Sequence, residues 1–111
     1  MPVTHREIEI VRPRQEPAFS ERIEPLLASV RKPGWSRHII VNLAGVEYLS
    51  SSNLTQLLKL RHAARVQDVH LRLTGASDQV MSEFVITSLD RVFEFAPNEK
   101  SAVESLEAEG A

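Results

Sequence analysis

The chain opens on an alternation: "EIEIVRP" (residues 7–13) sets Ile8 and Ile10 between charged neighbours and stops at a proline. That is the pattern of a short strand with one buried face. The step then changes. In "AFSERIEPLLASVRK" (residues 18–32), Phe19, Ile23, Leu26, Leu27 and Val30 recur every three or four positions, a helical stripe closed by Pro33-Gly34. Pro25 interrupts it, and because an interior proline removes a donor and kinks the turn, a start near Glu24 with Pro25 in the first turn is the alternative. "HIIVNL" (residues 38–43) brings Ile39, Ile40 and Val41 in succession, as expected of a central strand covered on both faces.

Beyond Gly45, Leu54, Leu57 and Leu58 mark the apolar side of a second helix, and Lys59, Arg61, His62 and Arg65 its basic side. "VHLRLTG" (residues 69–75) alternates again, with Val69, Leu71 and Leu73 inward and His70 and Arg72 on a face left to solvent. Ser77-Asp78 supplies a cap and an early acid for a third helix, with Val80, Met81, Phe84 and Val85 as its buried stripe. "RVFEFAP" (residues 91–97) reads as a last short strand, and "NEKSAVESLEAEG" (residues 98–110) as a weak, fraying acidic helix. Trp35 is expected as a partly buried anchor, and Phe84, Phe93 and Phe95 as core. Regular alternation of strand and helix implies α/β class, with a mixed, largely parallel sheet of about four strands.

Composition narrows the functions. The 111 residues suit a single domain over 1–111, and 42% hydrophobic with 25% charged residues is ordinary for a soluble protein. A net charge of -2 with scattered basic residues argues against nucleic acid or an anionic membrane as partner. The absence of cysteine excludes disulfides, thiol catalysis and thiolate zinc sites. "MPVTHREIEIV" lacks a signal-peptide pattern and no run is long enough to span a bilayer, so a cytoplasmic location is expected. The glycosylation-type triplet Asn53-Leu54-Thr55 is then a chance match. His5, His38, His62 and His70 fit no metal-ligand spacing, and no phosphate-binding glycine loop or nucleophile elbow occurs, so no cofactor is expected.

Three serines and an asparagine, residues 50–53, stand at the start of the second helix. They suit a helix cap, with Asn53 and Gln56 spaced as a capping box, but one cap does not need Ser50, Ser51 and Ser52 together. The same position, at the carboxyl end of a central strand and at a helix N-terminus, also suits an added phosphate. Both readings stand on the residues alone.

The stretch from "VNLAGVEYLSSSNLTQLLKL" to "LDRVFEF" resembles the STAS domain of anti-sigma factor antagonists, over residues 39–95. In that family an apolar strand, "DLSGV", "DSSGL", a leucine-rich helix, a short strand and a "GLDRLF" ending follow in this order. The resemblance implies a non-enzymatic protein-binding module. Unphosphorylated, it would capture an anti-sigma factor that is also a serine kinase; phosphorylated, it would let go, and a serine phosphatase would reset it. Ser51 falls on the phosphorylated serine and Ser52 on the next hydroxyl, with Ser50 a further candidate, and Leu54 falls on the buried helix leucine. Ser50 stands for the family's aspartate, Asn53 for its glycine and Asn42 for the aspartate of "DLSG". Asparagine is the residue next most tolerant of the left-handed backbone that glycine allows. Partner contacts are expected at Ser50, Ser51, Ser52, Asn53, Leu54, Arg61 and Arg65, the basic helix face adjoining the serine loop. Two alternatives accompany this reading: a constitutive STAS docking or scaffold domain that needs no phosphate, and a small enzyme built on Ser51, His62 and Glu47.

Overall fold

The computed structural model describes residues 7–110, with strands β1 (Ile8–Val11), β2 (His38–Asn42), β3 (Leu71–Thr74) and β4 (Phe95–Ala96). Between and after them lie helices α1 (Ala18–Val30), α2 (Ser51–Val66), α3 (Asp78–Ile86) and α4 (Glu99–Gly110). His5 and the rest of residues 1–6 lie outside the described residues. Among the described residues the strand order is β1-β2-β3-β4 and every pairing is parallel, where a mixed, largely parallel sheet was expected. β2 is central, as its unbroken apolar run requires.

Helices cover both faces of the sheet. Ile39 and Val41 point into the larger core, with Phe19 and Ile23 of α1, Leu57 and Leu60 of α2, and Val80 and Phe84 of α3. Ile40 points the other way, onto Ala102 and Leu106 of α4, with Ile8 and Ile10 alongside. α4 is therefore a packed element, contrary to the expectation of a fraying tail. Among its described side chains only Ala102 and Leu106 are fully buried, a signal too thin to stand out among its acids. Its presence also overturns the solvated face assigned to β3: Arg72 is buried, and its Nε donates to Ser105 Oγ of α4 at 3.2 Å. His70 is exposed as expected.

Three further expectations are revised. α1 starts at Ala18, and Pro25 lies inside it. Pro25 faces solvent, where water can satisfy the carbonyl oxygen its missing N–H would have used. In α3, Val80 and Phe84 are buried, Met81 is half-buried, and Val85 is exposed, the helix being too short for a wide stripe. "RVFEFAP" gives only a two-residue strand, after a single 3-10 turn at Leu89–Arg91. Phe93 and Phe95 still pack edge-on against Phe84, with ring centroids 5.6 and 5.1 Å away. Trp35 is half-buried and its Nε1 donates to the Arg37 carbonyl at 2.8 Å. Among the described residues no helix is long and apolar enough to cross a membrane.

Candidate functional site

The loop from β2 to α2, residues 43–50, leaves the carboxyl end of the sheet and ends at Ser50, the N-cap of α2. Ser50 has an extended backbone, and its Oγ accepts the Asn53 N–H at 3.1 Å while Asn53 Oδ1 accepts the Ser50 N–H at 3.1 Å. The capping box is thus Ser50 with Asn53, three residues earlier than the Asn53 and Gln56 pair expected. Gln56 Oε1 instead accepts from Asn53 Nδ2 at 3.1 Å. Asn53 lies in the first turn of the helix and is not in the left-handed region, so its tolerance of that conformation is not used. With the cap supplied by Ser50, the side chains of Ser51 and Ser52 are exposed, and neither hydroxyl bonds another described residue.

Side chains remote in sequence hold this loop in shape. Gln15 Oε1 accepts the N–H of Glu47 at 2.7 Å and that of Tyr48 at 3.2 Å, and its Nε2 donates to the Tyr48 carbonyl at 2.9 Å. Glu83 of α3 accepts the Leu49 N–H at 2.7 Å. Glu16 accepts from Asn53 Nδ2 at 3.1 Å and from the hydroxyl and N–H of Ser20 at 2.7 and 2.8 Å. The Ser20 hydroxyl, followed by its N–H, holds the Glu16 carboxyl below the usual carboxylate range. Gln56 Nε2 completes the lattice, donating to Ser20 Oγ and to Glu24. Sequence reasoning missed Gln15, Glu16 and Glu83, because each reaches a partner more than thirty positions away and no local pattern marks it.

The remaining sequence candidates separate. Asn53 and Leu54 are buried, so they support the loop from within. Arg61 and Arg65 lie about 15 and 21 Å from Ser51 along the axis of α2, at 1.5 Å rise per residue. They do not adjoin the serines. His62 is about 16 Å away by the same measure, so Ser51, His62 and Glu47 cannot form the hydrogen-bonded relay of a nucleophilic enzyme. Exposed apolar side chains are Tyr48 in the loop itself, at 54%, and Val85 and Ile86 at the end of α3, at 55% and 81%. Ile86 follows Glu83 by three residues, which puts it one turn along the face that grips Leu49.

Asn42 marks the other side of the loop. Its Oδ1 accepts the Ala44 N–H at 2.9 Å, and its Nδ2 donates to Glu99 of α4 at 2.7 Å. Glu99 is also gripped by Arg12 through two bonds of 2.8 and 2.7 Å. Hydrogen bonds from Arg12 and then Asn42 hold the Glu99 carboxyl low, and the same contact raises the Arg12 guanidinium. An aspartate at position 42 would turn a second carboxylate toward Glu99, so the asparagine has a physical reason here. Gly75 closes the arrangement: at φ +71 it comes so near that a Cβ there would stand 2.4 Å from Asn42 Oδ1.

Comparison with solved structures finds this fold repeatedly. RsbS from Moorella thermoacetica, in a serine-to-glutamate variant, superposes with a TM-score of 0.77 at 16% identity, over 93% of this chain and 90% of that one. An anti-sigma-factor antagonist STAS domain protein from Planctomyces limnophilus gives 0.76 at 18% identity, over 95% and 96%. The STAS domain of a SulP transporter from Vibrio cholerae gives 0.76 at 14% identity, over 93% and 86%. Among curated proteins there is no match. The family model of the STAS domain matches residues 13–102, most of the chain. With the strand order, the two-faced helix cover and this match in agreement, the chain belongs to the STAS domain family.

Proposed function

We propose that this chain is a protein-binding regulatory module of the anti-sigma factor antagonist type. It captures an anti-sigma factor with serine kinase activity through the loop ending at residues 50–52, and releases it when Ser51 is phosphorylated. A serine phosphatase would restore binding. The observation that carries this reading is the division of labour at the start of α2: Ser50 is spent on the cap, whereas the Ser51 side chain is exposed and makes no bond to another described residue. A phosphate on Ser51 can therefore be added without breaking the helix cap. The first-turn N–H groups and the helix dipole tolerate it there, while the added charge opposes an interface formed around it. Exposed Tyr48 in the loop, and exposed Ile86 one turn from the Glu83 that holds Leu49, add apolar area of the kind protein partners use. STAS domains also occur in SulP transporters, as in the Vibrio cholerae neighbour, so the phosphate dependence distinguishes a switch from a constitutive docking domain.

Mass-spectrometric mapping of the tryptic fragment 38–59, from protein isolated in its native cells, tests the switch. Phosphate on Ser51, absent from Ser51→Ala, is the expected result. A fragment unmodified through growth and stress, joined with undiminished partner capture by Ser51→Glu, would leave the constitutive docking domain in its place.

A further inference from the structure

At the opposite end of α2 from the serines, a cavity of about 410 Å³ opens between that helix, the start of β3 and the segment entering β4. Its volume is in the range of small-molecule sites. Arg61 and Arg65 line it, one helical turn apart, with buried Arg72 contributing from β3. Leu71, Val92 and Phe93 supply apolar wall.

The helix alone does not account for these charges. Arg65 in the last turn suits the negative end of the helix dipole. Arg61 lies a turn earlier, where two like charges at this spacing repel. Neither Arg61 nor Arg65 makes an ion pair or side-chain hydrogen bond with another described residue. Asp68 and Glu94 also line the cavity, without reaching ion-pair distance of Arg61 or Arg65. Each of the two planar guanidinium groups on this wall can present a fork of N–H donors to a pair of oxygens of a tetrahedral phosphate group. The two carboxylates limit the total negative charge the cavity accepts, which disfavours a polyanion.

We propose that this cavity binds a small phosphate monoester, with its phosphate held by Arg61 and Arg65 and its organic part against Leu71 and Phe93. Phenyl phosphate carries both features and is the probe. Added to the uniformly 15N-labelled full chain through the millimolar range, it should shift the amide signals of Arg61, Arg65, Leu71 and Phe93 along one saturable curve. Phenol, which lacks the anion, should not saturate them. In Arg61→Gln/Arg65→Gln the apparent Kd should rise about tenfold or more, as expected for loss of charge-assisted hydrogen bonds. Both side chains are at least partly exposed, and the variant's dispersed spectrum checks that it is folded; Arg61→Gln alone serves if it is not. Absence of saturable shifts, equal binding of phenol, an unchanged Kd in the folded variant, or shifts gathered at residues 51–53 instead would each overturn the proposal.

Discussion

Replacing Ser50 with alanine removes the acceptor of the Asn53 N–H and should cost about 1 kcal/mol of stability, the usual value for an N-cap. Ser51→Ala, at an exposed position with no side-chain partner among the described residues, should stay within about 0.5 kcal/mol. Urea unfolding of both variants separates the two roles, and equal losses would mean that the cap is not where Ser50 puts it. Gly75 allows a harsher test. Gly75→Ala has to place a methyl group against Asn42 Oδ1 at a left-handed backbone angle, so a loss above about 1 kcal/mol is expected. The same denaturation series reads it. At this scale the sequence was partly legible. The serine run announced a helix start, but three adjacent hydroxyls look alike until the backbone of Ser50 turns its Oγ onto Asn53. The role of Asn42 stayed hidden because Glu99, its partner, is fifty-seven positions away.

Among the elements, α4 is the one whose packing departs most plainly from its sequence pattern. It keeps Ile40 and Arg72 from water, and it is fastened at its first turn by Glu99 to Arg12 and Asn42. Because the folded-state pKa of Glu99 is depressed, this contact stabilises the fold above the unfolded carboxylate value of about 4.3. That stability disappears as pH falls through the folded value. Thermal melts from pH 7 downward should therefore show a Tm decline setting in below about pH 4.3, and Glu99→Gln should make the decline shallower. Glu16, also held low, keeps part of the slope in that variant. An identical slope with and without the Glu99 carboxylate would remove this contact from the acid response. The strands β1 to β3 and the helices α1 to α3 were legible because each carries a run or stripe of apolar residues. By contrast, among the described side chains of α4 only Ala102 and Leu106 are fully buried, and β4 is two residues long; such elements are defined by what they lie against.

Across the whole molecule, α2 spans the sheet and separates two ends of different chemistry: exposed serines with an apolar neighbourhood at one, arginines around a cavity at the other. Sites this far apart with no shared partner should act independently on stability. The unfolding free energies of Ser50→Ala and Arg61→Gln/Arg65→Gln should add to within about 0.5 kcal/mol in the combined variant. A larger discrepancy would reveal coupling through the helix. The lattice that shapes the serine loop has a further consequence of its own. The side chains that grip the loop and the first turn of α2 are amides, a hydroxyl and carboxylates: Gln15, Glu83, Glu16 and, through Gln56, Ser20 and Glu24. No cation is among them. Negative charge arriving at Ser51 would find no counter-ion in this bonded shell, so its field would extend into the solvent in front of the loop. At physiological ionic strength that field decays over about 8 Å, so any discrimination it confers should fade as salt is raised.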